Sequence, residues 1–193
     1  MAEGGARSKL SACIGMPTTA VDEFDRLVQR YKARTSSSSS TDARLEVLMD
    51  LEYLGDLRVV GFLLEVLADS REMRDVRVHA LKWLRDGYLS SEARPRVAAA
   101  IRQMLADGAA QELRLQAVLA LAEFTDVDGI LAALGGLALD TDEAIDIRYG
   151  AFTSLEKGGL TAESTALLKL LSADKVLGPC ARHALSTWRV LVR

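Results

Sequence analysis

Asp75-Val76-Arg77-Val78-His79-Ala80-Leu81-Lys82-Trp83-Leu84 is the stretch on which the reading of this chain turns. Val78, Leu81 and Leu84 recur at helical spacing, and an acidic residue, an apolar residue and an arginine precede that run. The same triplet occurs as Asp42-Ala43-Arg44, Glu112-Leu113-Arg114 and Asp146-Ile147-Arg148. The arginines stand 33, 37 and 34 residues apart. A period of this size marks one structural unit stacked on copies of itself. The expected fold is all-α, a right-handed solenoid of about four and a half helix pairs.

Each unit reads as a first helix, a short turn and a second helix. In the first, Leu45, Leu48, Leu51 and Leu54 precede Gly55-Asp56, and Val59, Leu63, Val66 and Leu67 follow it. The second turns at Asp86-Gly87, and Ser90-Ser91 with Pro95 open its second helix, where backbone N–H groups lack partners. The third turns at Thr125-Asp126, and the fourth at Gly158-Gly159 with a cap at Thr161. A half unit bearing Ala184, Leu185, Trp188 and Leu191 follows Gly178-Pro179. The repeats occupy 42–193. Ahead of them, 1–18 reads as disordered and 19–34 as an amphipathic helix capped at Thr19, with Phe24, Leu27 and Tyr31 on one stripe. Residues 35–41 read as a Ser-rich flexible linker.

The triplet has an expected role. Its acid falls in the first turn of a helix, at the positive end of the dipole. Its arginine is expected to reach the acid of the adjacent unit, giving a ladder of Asp42, Arg44, Asp75, Arg77, Glu112, Arg114, Asp146 and Arg148.

Only 3 prolines interrupt the 193 residues, and apolar residues make up 49%, an ordinary globular balance. The net charge of −3 argues against a general nucleic-acid binder, whose footprint would be basic. No apolar run reaches the roughly 18 residues of a membrane span. Cys13 and Cys180 lie far apart and outside metal-type spacings, which suits a reducing cytoplasm. Leu10-Ser11-Ala12-Cys13 matches a lipoprotein box, but Met1 to Lys9 carries no apolar stretch, so no signal peptide is expected.

The pattern resembles the HEAT-like repeat family, in the short form also found in bilin lyases. That form reads acidic-x-apolar-Arg-x-x-Ala followed by Leu. Arg77-Val78-His79-Ala80-Leu81, Arg148-Tyr149-Gly150-Ala151-Phe152 and Arg114-Leu115-Gln116-Ala117-Val118 carry the likeness. The first unit departs with Val47 at the alanine position, and the terminal half unit places Ala181 at the arginine position. The resemblance implies an architecture shared by scaffolds, lyases, hydroxylases and DNA-repair enzymes.

Each chemistry in that range meets a test in the residues. Iron-binding members use His-Glu pairs; this chain has only His79 and His183, read at one shared repeat position, and no metal or other cofactor is expected. A glycosylase-like role wants a basic groove. Residues 71 to 102 carry a net +4 and residues 105 to 147 a net −8, so a duplex along the whole groove would be repelled. A lyase-like role wants an aromatic and acidic pocket, and Trp83, Tyr88, Tyr149 and Trp188 are better placed for packing. No nucleophile–base or phosphate-loop signature appears. The expected function is a non-catalytic scaffold or adaptor for another protein, with a lyase-like or glycosylase-like enzyme as the alternative. Its oligomeric state is open. The expected partner-binding residues are Arg96, Ala99, Arg102, Asp126, Asp128, Ala132, Gly135 and Gly136. Close packing between successive second helices is the competing reason for Gly135-Gly136.

Overall fold

The computed structural model describes residues 22–33, 40–87, 89–106 and 110–191. Among them every regular element is helical and no strand occurs. In chain order the helices are α1 (Glu23–Ala33), α2 (Ser40–Tyr53), α3 (Arg58–Ala68), α4 (Arg74–Asp86), α5 (Ala93–Ala106), α6 (Gln111–Leu121), α7 (Ile130–Leu139), α8 (Ile145–Lys157), α9 (Ala162–Leu171) and α10 (Gly178–Leu191). The expected disordered stretch 1–18, the Thr19 cap and linker residues 35–39 lie outside the described residues, and Ser40 and Thr41 already belong to α2.

Local chemistry sets the ends of these helices. Gly55 and Gly159 adopt φ of 63° and 77°, a left-handed conformation that costs glycine little and stops a helix. At the start of α9, Ser164 N–H donates to Thr161 Oγ1 at 3.0 Å, and Thr161 N–H donates to Ser164 Oγ at 2.9 Å. This reciprocal pair satisfies two donors that the helix itself leaves unpaired. Ser90 Oγ accepts from Ala93 N–H at 3.2 Å and starts α5.

Helices α2, α4, α6 and α8 contact one another in succession, and so do α3, α5, α7 and α9. Contacts of α3 with α4, α5 with α6, α7 with α8 and α9 with α10 join the two rows. Leu48, Leu63, Leu81, Ile101, Leu121 and Leu134 are fully buried within this arrangement. Each such side chain contributes roughly 1.5–3 kcal/mol of burial free energy.

Helix α1 is docked against α2. Its buried Phe24 and Tyr31 meet the Phe62 ring of α3 edge-on, with centroids 6.5 and 5.2 Å away. Tyr31 Oη donates to Glu72 Oε2 at 2.6 Å. Burial, aided by the Glu72 carboxylate, holds the Tyr31 hydroxyl far above its ordinary pKa.

The triplet arginines do not reach the acids of the next triplets. Arg44 pairs with Glu72, Arg114 with Glu143 and Arg148 with Asp174, and all three acids lie in the loop ahead of the next even-numbered helix. Arg77 Nε donates to Leu67 O and Arg148 Nε to Ala138 O, each at 3.0 Å and each ten residues back. Those carbonyls end α3 and α7, where the helix dipole is negative and the C=O groups lack internal partners. The reason is geometric. Cα–Cβ bonds tilt toward the helix N-terminus, so a first-turn arginine reaches backwards into the loop layer. The triplet acids stay exposed: Asp42, Asp75, Glu112 and Asp146 all face solvent. Glu112 of α6 does pair with an arginine of α4, but that is Arg74, at 2.6 Å.

Helix α10 departs from the expected alignment. Arg182, rather than Ala181, takes the arginine role, since its Nη1 donates to Ser172 O ten residues back at 2.5 Å. His79 then lies two residues after its arginine and His183 one, so the two histidines do not share a position.

Candidate functional site

The odd-numbered row exposes both small and charged side chains, Glu65 of α3 among them. On α5, Arg96, Ala99 and Arg102 are exposed at intervals of three residues, which keeps them on one side of the helix. The Arg96 guanidinium lies over Gly61 of α3, where a Cβ would come within 3.5 Å of Nη2. The Arg102 guanidinium leans the other way, and a Cβ at Gly129, ahead of α7, would meet its Nη1 at 3.5 Å. Neither arginine has a hydrogen-bond or ion-pair partner among the described residues. On α7, Ala132 and Gly136 continue the exposed floor.

Two residues expected on this face serve the fold instead. Gly135 is buried, and a Cβ there would sit 2.5 Å from Leu167 Cδ2 of α9. A helix residue next to an exposed one points about 100° away from it, so the pair Gly135-Gly136 splits between packing and surface. Asp126 is held by Arg94 Nη2 at 2.6 Å, and that hydrogen bond keeps its carboxyl below the ordinary range. Arg94 also stacks over the Phe124 ring at 5.0 Å. Asp128 is exposed.

The opposed charge blocks are partly wired together. Arg74–Glu112 and Arg94–Asp126 each join a basic residue of the 71–102 segment to an acid of the 105–147 segment.

Sequence reasoning missed the cleft beside Arg96. Leu57, Arg58, Val60, Gly61, Ser90, Ala93 and Arg96 line a volume of about 360 Å³. A neighbouring cleft of about 370 Å³ shares Leu57 and Val60 and is walled by Trp83 and Glu52. Leu57 is 87% exposed, an apolar side chain stranded outside the helical period just after the Gly55-Asp56 turn. That misfit was the available signal. Arg58, also in the lining, is fully engaged: it bonds Asp56 and Asp22, approaches Asp25 at 3.8 Å and lies over the Phe24 ring at 4.4 Å.

His79 Nε2 lies 2.8 Å from Glu52 Oε1, and no group of three or more potential metal ligands occurs among the described residues. Cys180 is a half-buried free thiol; Cys13 and Tyr88 lie outside the described residues. No described helix is long and apolar enough to cross a membrane. No protein-family model and no curated protein matches this chain.

Proposed function

We propose that the two helix rows form a right-handed HEAT-like solenoid of about four and a half pairs, acting as a non-catalytic cytoplasmic scaffold. It holds a segment of another protein along the exposed face of α3, α5 and α7. The succession of contacts within each row and the recurring arginine clamp support the architecture. The observation that carries the function is the pair of exposed, unpartnered arginines, Arg96 and Arg102, set over a floor of Ala99, Ala132 and Gly136. Small side chains let a foreign backbone approach, and exposed charge governs encounter and register. A standard interface of roughly 1,600 Å² fits along two or three units.

Arg102→Glu tests this. Proteins captured from the native host by the tagged chain in low salt, where screening is weakest, should be lost by the variant. Its thermal stability should hold, because an exposed charge without a partner contributes little to folding. Equal capture by both chains would remove α5 from the binding face. Release of damaged bases from DNA, or stoichiometric iron or zinc in the purified protein, would overturn the non-catalytic reading.

A further inference from the structure

Building on the scaffold reading, we propose that the bound segment is acidic and carries an apolar anchor. Its apolar side chain enters the cleft beside Leu57 and Val60, and its carboxylates meet Arg96 and Arg102. The first support is the treatment of arginine elsewhere. From α2 to α10, each other arginine with a described side chain bonds a carboxylate or a backbone carbonyl; Arg44, Arg114 and Arg148 take half-buried acids, and Arg77 and Arg182 take carbonyls. Arg96 and Arg102 alone among the arginines with described side chains are left open, both on the exposed side of α5 and about 120° apart around its axis.

The second support is the composition of the cleft. Its lining is Leu57, Val60, Gly61, Ser90 and Ala93 together with two arginines, Arg58 and Arg96. Arg58 is already neutralised by Asp22 and Asp56. Arg96 is therefore the cleft's uncompensated charge, next to a leucine that is 87% exposed. An apolar residue followed closely by a carboxylate complements both.

The geometry also bounds the segment. Six residues of helix separate the two arginine Cα atoms by about 9 Å along α5. An extended chain advances roughly 3.3 Å per residue, so its two acids must stand at least three residues apart. Exposed Asp128 at the start of α7 sets the far limit, since it repels a further carboxylate.

Selection of phage-displayed random dodecapeptides on the full chain in low salt provides the probe, and anisotropy with labelled copies of the selected peptides provides the affinity. The selected peptides should be enriched in two Asp or Glu residues near a Leu, Ile, Phe or Met. The double variant Arg96→Glu/Arg102→Glu should bind them at least tenfold more weakly, Leu57→Asp likewise, and Lys-for-Glu peptides should recover affinity for the double variant. Arg96→Gln with Arg102→Gln gives a second, milder charge removal, and circular dichroism checks each fold. Selected peptides without acidic enrichment, or indifferent to both double variants, would overturn this inference and leave the scaffold reading standing. Failure to select any peptide would overturn both.

Discussion

Adjacent residues in this chain carry opposite duties, and Gly135-Gly136 shows it most sharply. A Cβ at Gly136 meets nothing within 4 Å, so Gly136→Ala adds only helix propensity. It should stabilise the protein by about 0.5–1 kcal/mol. A Cβ at Gly135 would press on Leu167 Cδ2, Cδ1 and Cγ at 2.5, 2.8 and 3.1 Å, so the whole side chain must move. Gly135→Ala should therefore lose about 1 kcal/mol net, overpacking outweighing propensity. Urea denaturation of the two variants side by side checks both signs. The clamp arginines extend the contrast. Arg148 is 5% exposed and holds both Asp174 and the Ala138 carbonyl. Arg148→Ala leaves Asp174 with only its Val176 and Leu177 N–H donors and takes the arginine from the Ala138 carbonyl, and should cost about 3 kcal/mol, the low end for a broken buried pair. Arg71→Ala removes an exposed pair with Asp69 and should cost well under about 1 kcal/mol. The same melts report both.

At the scale of elements, α1 is the most informative helix. It is short and packs on α2 and the Phe62 ring of α3 with Phe24, Leu27 and Tyr31 rather than with a long apolar face. Tyr31 ties it to Glu72, which also receives Arg44, so docking of α1 and the first clamp share one carboxylate. Tyr31→Phe keeps the ring against Phe62 and removes only the hydroxyl. It should cost about 1.5–3 kcal/mol, the worth of a hydrogen bond to a charged group. Hydrogen exchange should rise in α1 and leave α8 unchanged; a uniform rise would show that α1 has no separate stability.

For the whole molecule, the acids of the clamps make stability depend on pH. Glu143 is held below the ordinary carboxylate range by the Arg114 hydrogen bonds. Asp174 is held down by the Leu177 N–H first, then by Val176 N–H and Arg148. Both folded pKa values lie below the unfolded ones, which are near about 4. Their contribution is complete above that range and is lost as pH falls through the folded values. Glu156 runs the other way: burial raises its pKa, so protonating it favours the fold. With two clamps against one such group, urea midpoints should hold between about pH 7 and 5 and drop below about pH 4. A midpoint that rises on acidification would show that the clamps contribute nothing.

The all-helical class was legible in the chain by itself, because helical spacing and turn residues are local. Leu45 to Leu51, the Gly55 and Gly159 breaks and the Thr161 cap each act within a few residues of themselves. The triplet arginines were also visible as a recurring feature, and an acid five residues ahead of Arg77 and Arg148, at Glu72 and Glu143, was there to be read. Only the tertiary structure decided which acid each arginine meets, since the reach of a side chain depends on the tilt of its helix and on the loop laid beside it. The same holds for the division of Gly135 from Gly136, the docking of α1 through Tyr31, and the cleft at Leu57. Each needs two elements distant in sequence to be brought together, and no periodicity along one strand of chain carries that distance.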